Sequence, residues 1–249
     1  MLKTTTILVM AGALAAVASE ARAQTQPPPA IMGFATINFG TQPSSRTINR
    51  SSSFPVYGET ATLTTTQENG SGAVFDLSGG YRFRPTIAGT QLNLGAAIGY
   101  SHFGNTSDST MVATVPNPLI FDSPRTTTAT VPDLKHSENA VHLQVLWFLP
   151  VTNQVDVAFS IGPSFINVSQ DIVSTITVPA GTQNATPNVT TEKKTGVGIN
   201  IGVDGTYLFT RNFGAGAYLR YAGASVDLPS VADLSVGGFQ VGVGGRIRF

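Results

Sequence analysis

Leu234 to Phe249 reads LSVGGFQVGVGGRIRF, and this stretch decides the fold. Phe239, Val241, Val243, Gly245, Ile247 and Phe249 occupy the odd positions. Gln240, Gly242, Gly244, Arg246 and Arg248 occupy the even ones. A period of two belongs to a β-strand, whose successive side chains point to opposite faces. One face here is apolar and the other is polar or glycine. The stretch is long enough to cross a bilayer at a tilt, and it ends on an aromatic.

Seven earlier segments repeat the design. They run over residues 30–40, 71–84, 91–103, 137–149, 155–168, 196–209 and 212–224. In the second, Ala73, Phe75, Leu77, Tyr81 and Phe83 oppose Asp76, Ser78, Arg82 and Arg84. In the fourth, Val141, Leu143, Val145, Trp147 and Leu149 oppose Glu138, His142 and Gln144. In the sixth, Val197, Ile199, Ile201, Val203, Tyr207 and Phe209 oppose Asn200, Asp204 and Thr206. The first is the least regular, because Met32 and Phe34 break its polar face.

The connections alternate in length. Long ones (41–70, 104–136, 169–195 and 225–233) follow the odd strands, and short ones (85–90, 150–154 and 210–211) follow the even strands. The long ones are rich in Thr, Ser, Pro and Asn. An even number of strands, with long loops on one side and short turns on the other, is the pattern of an outer-membrane barrel.

A water-soluble barrel has the same alternation with its apolar face inward, and two features decide against it. The polar faces are mostly Gly, Ser and Asn, where a water-exposed surface would carry many Lys and Glu. Aromatics on the apolar faces also cluster at both strand ends. Phe39, Phe75, Tyr100, Phe165, Tyr221 and Phe239 lie near the long loops. Tyr81, Phe83, Trp147, Tyr207, Phe209, Phe213 and Phe249 lie near the short turns. Aliphatic residues fill the space between, with Phe159 the exception. Two girdles around an aliphatic band mark the interfaces of a bilayer. The predicted fold is all-β: an eight-stranded antiparallel up-and-down transmembrane β-barrel over residues 30–249.

The other bulk features agree. Met1-Leu2-Lys3, an apolar run from Ile7 to Val17 and Ala21-Arg22-Ala23 describe a secretory signal peptide over residues 1–23, cleaved after Ala23. Residues 24–29, QTQPPP, read as an extended linker. The chain has no cysteine, which excludes disulfides and thiolate chemistry. Only 11% of residues are charged and the net charge is zero, so nothing points to nucleic acid.

On these residues the chain resembles the small eight-stranded outer-membrane β-barrel superfamily, the porin-like barrels related to outer-membrane protein A and outer-membrane protein X. The resemblance covers residues 30–249 and rests on the eight-strand layout and the ending VGVGGRIRF. It implies a Gram-negative outer-membrane location. It also implies that Phe249, with Ile247, Val243 and Val241, is the signal read by the outer-membrane assembly machinery; Gly245 interrupts that row. No peptidoglycan-binding domain follows the barrel, so a wall-anchoring role is not expected.

Eight charged residues fall on the expected lumen face: Asp76, Arg82, Arg84, Asp156, Asp204, Arg220, Arg246 and Arg248. A structural ion-pair network filling a narrow interior is the first reading, with Asp204 and Arg220 on neighbouring strands at similar depth. A charge-selective pore is the second, since Arg82, Arg84, Arg246 and Arg248 near the periplasmic mouth would favour anions. His102 and His136 sit near the outer rim and His142 deeper. Ser101 and His102 alternate to opposite faces, however, and no nucleophile motif such as G-x-S-x-G is present. Asn105, Asn167, Asn184 and Asn188 begin N-x-Ser/Thr patterns of the kind that arise readily in Thr-rich sequence.

The leading expectation is therefore a non-enzymatic barrel with a structural or surface-presenting role, in envelope integrity or adhesion, without cofactor, metal or catalytic residues. A narrow passive pore for small solutes is the alternative, and a lipid-modifying enzyme is third. The expected partners are outer-membrane lipid and lipopolysaccharide, the assembly machinery and an extracellular ligand at the loops. A monomer is expected.

Overall fold

The computed structural model describes residues 31–249 except 88 and 89. The signal peptide, the linker and Ala30 lie outside the described residues. Twelve strands follow one another: β1 (Ile31–Gln42), β2 (Arg46–Val56), β3 (Glu59–Asn69), β4 (Gly72–Phe83), β5 (Thr86–Ile87), β6 (Thr90–Gln91), β7 (Leu94–Val115), β8 (Arg125–Pro150), β9 (Val155–Thr177), β10 (Thr186–Leu208), β11 (Phe213–Leu228) and β12 (Val231–Arg248).

Eight of these form a closed antiparallel ring in the order β1, β4, β7, β8, β9, β10, β11, β12 and back to β1. Closure leaves no unpaired edge within the ring, the condition for a sheet to cross lipid. Alternation places the apolar faces outward. Ile37, Leu77, Ile98, Leu143, Ile161, Ile199, Leu219 and Val243 are exposed. Asn38, Asp76, Ser101, His142, Ser164, Asn200, Arg220 and Gln240 are buried. A polar inside and an apolar outside invert the construction of a soluble protein, and only lipid makes that inversion stable.

The expected long loops are not loops. The connection 41–70 folds as the β2–β3 hairpin, turned at Tyr57-Gly58, both with positive φ (53° and 81°). That is the two-residue turn whose twist suits a hairpin. The connections 104–136 and 169–195 are largely continuations of β7, β8, β9 and β10, which reach 22, 26, 23 and 23 residues. A membrane crossing takes roughly 9–11. On β3, Thr62–Gln67 adds to the free edge of β7 at Ser109–Thr114. β8 leaves β9 above the pair His136↔Gln170. Beyond that point the walls part, and two sheets face each other across an apolar core.

The inward parity persists into this extension while its polarity reverses. On β7, Ser101 faces the polar lumen, whereas Phe103, Met111, Ala113 and Val115 on the same parity are buried in an apolar interior. Met111, Ala113 and Val115 pack with Leu63, Val131, Leu134, Val173 and Ile176. A second cluster, nearer the membrane, joins Ile48, Ile166, Val168, Ile172, Val226, Leu234 and Val236. At the opposite end the short-turn connections stay short, and the first of them carries the small β5–β6 ladder, which extends to Gln91.

Candidate functional site

The lumen concentrates charge, in layers along its axis. In the middle layer Arg220 donates from Nη2 to Asp76 at 2.7 Å and to Gln240 Oε1 at 2.7 Å. Asp76 also accepts from Asn38 Nδ2 at 2.8 Å. Arg246 forms an ion pair with Asp204 and donates to Asn38 Oδ1. The expected neighbours Asp204 and Arg220 therefore take different partners, although β10 and β11 pair side by side. Each guanidinium reaches across the lumen to another strand and satisfies a carboxylate there, which is what a buried charge requires.

Toward the short turns, Asp156 accepts from both Arg82 at 2.8 Å and Arg248 at 2.6 Å. Arg82 also lies over the Phe148 ring, 4.7 Å from its centroid. Phe148 meets Phe34 edge to face at 5.7 Å. Together with Leu146 and Ala158 these rings form an apolar plug. Phe34, which disturbs the alternation of its strand, belongs to this plug. Arg84 is half-buried at the mouth and forms no ion pair among the described residues. A cavity of about 80 Å³ separates plug from network. Arg82 Nε and Tyr218 Oη on its lining have no protein partner, and the space suits a few waters.

Toward the long hairpins the network continues as a chain. Gln240 donates to Gln42 at 2.9 Å and Gln42 to Glu138 at 3.2 Å. Glu138 binds Arg46 of β2 at 2.7 Å, His136 Nε2 at 3.0 Å and the Gly237 backbone N–H at 2.9 Å. His136 Nδ1 meets Gln170 Oε1 at 2.6 Å, and Asn69 donates to the same oxygen at 2.9 Å. Glu138 lies on the long-hairpin side of the girdle, three residues beyond Val141, which pairs with the girdle residues Tyr100 and Phe165. Burial would raise its pKa, but the His136 hydrogen bond and the Arg46 charge outweigh it and hold it at about 2.

Among the described residues the histidines form no Ser-His-carboxylate triad. His142 contacts Ser101 at 2.9 Å through Nε2 and Ser164 at 2.7 Å through Nδ1. The third member is a hydroxyl where a triad has a carboxylate, and all three side chains are sealed from solvent. His102 points outward to Asn139, and His136 belongs to the Glu138 cluster.

On the outer surface, register brings girdle residues together. Phe39 meets Phe75 at 5.3 Å and Tyr221 meets Phe239 at 5.1 Å at the long-hairpin end, where Tyr100 and Phe165 are also exposed. Tyr81, Phe83, Phe209, Phe213 and Phe249 are exposed at the other end, and Tyr207 meets Phe209 at 5.5 Å. Phe159 stands directly opposite Trp147, 6.2 Å away. It therefore joins the short-turn girdle, contrary to the expectation of an isolated mid-band aromatic. At the seam Phe249 pairs with Gly33, while Ile247, Val243 and Val241 all face outward.

Sequence reasoning missed the polar chain through Gln42 and Gln170 and the apolar cores above it. The signal was there: Ala61, Leu63, Met111, Ala113, Val115, Ala129 and Val131 alternate with β-branched residues, threonines and Val112.

No protein-family model matches the chain, and no curated protein matches it. Several solved structures do. The chain is similar to Neisserial surface protein A, at 15% identity and a TM-score of 0.46 over 89% of this chain and 98% of that one. It is similar to the outer-membrane protein OprG of Pseudomonas aeruginosa, at 9% and 0.47 over 88% and 96%. It is also similar to the attachment invasion locus protein Ail of Yersinia pestis, at 13% and 0.38 over 86% and 99%. The fold itself rests on this chain's own hydrogen-bonded ring: an eight-stranded antiparallel barrel with the inside-polar, outside-apolar construction of outer-membrane β-barrels.

Proposed function

We propose that the protein is a closed, non-conducting barrel that anchors a rigid β-structured platform at the cell surface. The single observation that carries this reading is the seal in three layers. An aromatic plug, a cross-lumen ion-pair network and an extracellular apolar core lie in series along one axis. Every lumen guanidinium except Arg84 is paired with a carboxylate, which leaves little field to draw ions through.

The long hairpins face outward from the cell, as they do in barrels of this construction. Residues 1–23 direct export and are removed after Ala23. The row ending at Phe249 recruits the assembly machinery, and the exposed band contacts outer-membrane lipid and lipopolysaccharide. Planar-bilayer recording of the purified protein tests the reading. Silence is expected at all voltages that leave the bilayer intact. Reproducible channels whose ion selectivity changes with Arg246 and Arg248 would replace it with the narrow-pore alternative.

A further inference from the structure

The longest hairpin, β7–β8, ends in the turn PNPLIFDSP over residues 116–124. Leu119, Ile120 and Phe121 are 92%, 60% and 82% exposed. Three consecutive large apolar side chains in water are unfavourable, and a turn does not need them.

The turn that carries them is held in place. Asn117 Oδ1 accepts the backbone N–H groups of Leu119 and Ile120 at 2.9 and 3.1 Å. Glu59 of the neighbouring hairpin accepts the Asp122 N–H at 3.1 Å. Gln183 donates to the Val115 and Ser123 carbonyls at 3.1 and 3.2 Å. The strands beneath are largely wettable, with Thr110, Thr126, Thr128 and Thr130 exposed and the apolar Val112 among them. The result is a polar stalk with an apolar tip.

Height excludes one occupant. Val115 lies fifteen residues beyond the girdle residue Tyr100 on β7. At roughly 3.3 Å per residue and a tilt of roughly 35–45°, the tip stands about 35–40 Å above the girdle. It cannot enter the membrane that holds its own barrel.

Shape and charge select another. Successive side chains around a tight turn diverge, so no flat surface or single groove takes all three. The interior of a bilayer accepts them from every side. Glu59, Asp122 and Arg125 at its base carry a net charge of −1, which opposes an anionic interface and leaves a zwitterionic one open to it. We propose that residues 119–121 are a wedge that inserts into the lipid bilayer of an apposed cell. This rests on the surface-platform reading and names its partner.

The test uses the full-length barrel reconstituted in lipid nanodiscs and separate fluorescent vesicles of phosphatidylcholine, alone or mixed with an anionic phospholipid. The wild-type protein is expected to capture vesicles. The triple variant L119S/I120S/F121S should lose capture at least tenfold while keeping the heat-modifiable migration of a folded barrel. Phe121→Leu should retain it. No capture by wild type, equal capture by the triple variant, or capture only of vesicles containing anionic lipid would each overturn the wedge. A barrel silent in planar bilayers that captures no vesicles refutes the wedge and leaves the platform standing. A conducting barrel refutes the platform itself.

Discussion

Phe249 closes the barrel by exchanging both backbone hydrogen bonds with Gly33, at 2.8 and 3.0 Å. Its ring occupies the space a side chain at position 33 would need: an added Cβ there would lie 2.3 Å from Phe249 Cε2. The last residue of the chain thus seats on a glycine near the start of β1, and the seam between the termini ends in one aromatic.

Gly33→Val should displace that ring and loosen the seam. The expected outcome is a reduced fraction of heat-modifiable, folded protein, with deletion of Phe249 more severe because both hydrogen bonds go as well. Pulse-chase with outer-membrane fractionation measures both. Deletion should give failed insertion and periplasmic degradation. Wild-type yield from the deletion would refute the assembly role proposed for Phe249.

Position 241 faces lipid and position 240 faces the lumen. Val241→Arg places a charge in the apolar band two residues from the girdle residue Phe239, where the cost is below the roughly 2–4 kcal/mol of the bilayer midplane. From sequence alone Gln240→Arg looks milder, since lumen groups could receive it. The structure reverses that expectation: Gln240 is buried and accepts two hydrogen bonds from Arg220, so a second guanidinium there meets a cation. Gln240→Glu should be the tolerated lumen change. Outer-membrane yield should rank Gln240→Glu near wild type, with both arginine variants well below it. Low yield of Gln240→Glu together with normal yield of Val241→Arg would invert the inside–outside assignment.

Asp76 is the carboxylate that Arg220 reaches across the lumen. Asp76→Asn keeps the shape and strands the guanidinium. Breaking a buried pair from one side costs about 3–5 kcal/mol, read as a lower urea midpoint for the refolded barrel. Asp76→Leu combined with Arg220→Met removes both charges and should recover part of that loss. A double variant no better than Asp76→Asn would mean that the hydrogen bonds of Asn38 and Gln240, rather than the ion pair, hold this layer.

The membrane half of the fold is legible because two independent codes coincide there, period two and the aromatic girdles. Strand ends near Phe83 and Leu149 fall within a residue of expectation, because short turns stop them. The outer half is not legible by the same rule. At Phe103 and beyond, the inward parity continues while the inward residues change from polar to apolar, so a search for polar-in alternation stops where the membrane stops. Thr-rich composition then reads as loop, although β-branched threonine at every second position is strand sequence. The ion pairs were half legible. Alternation places Asp204 and Arg220 inside, but reach across a closed ring, which assigns Arg220 to Asp76, follows from curvature and not from adjacency.

Glu138 ties the β2 hairpin to the barrel through Arg46, and its carboxyl is held at about 2. A folded-state pKa below the unfolded value of 4.5 means that the carboxylate stabilises the fold above that value. The contribution fades as pH falls from 4.5 through 2, and it amounts to about 3 kcal/mol at most. Protease resistance of residues 41–70 should therefore drop between pH 4.5 and 2 in wild type. Glu138→Gln should be as susceptible at pH 7 as wild type is at low pH. A wild-type profile flat from pH 7 to 2 would remove Glu138 from this role.

The three lumen layers act in series, so removing one should not open a path. Phe34→Ala with Phe148→Ala empties the plug and takes away the ring under Arg82. Arg82 and Arg248 still converge on Asp156, Arg220 still crosses to Asp76, and the core around Met111 and Leu63 still caps the other end. The double alanine variant should be less stable, since truncating a buried aromatic costs about 3–5 kcal/mol, but electrically silent in planar bilayers. The same recording distinguishes a single gate from a layered seal. Steady channels from the plug variant, absent in wild type, would show that two rings alone hold the lumen shut and that the ion-pair layer above them is permeable.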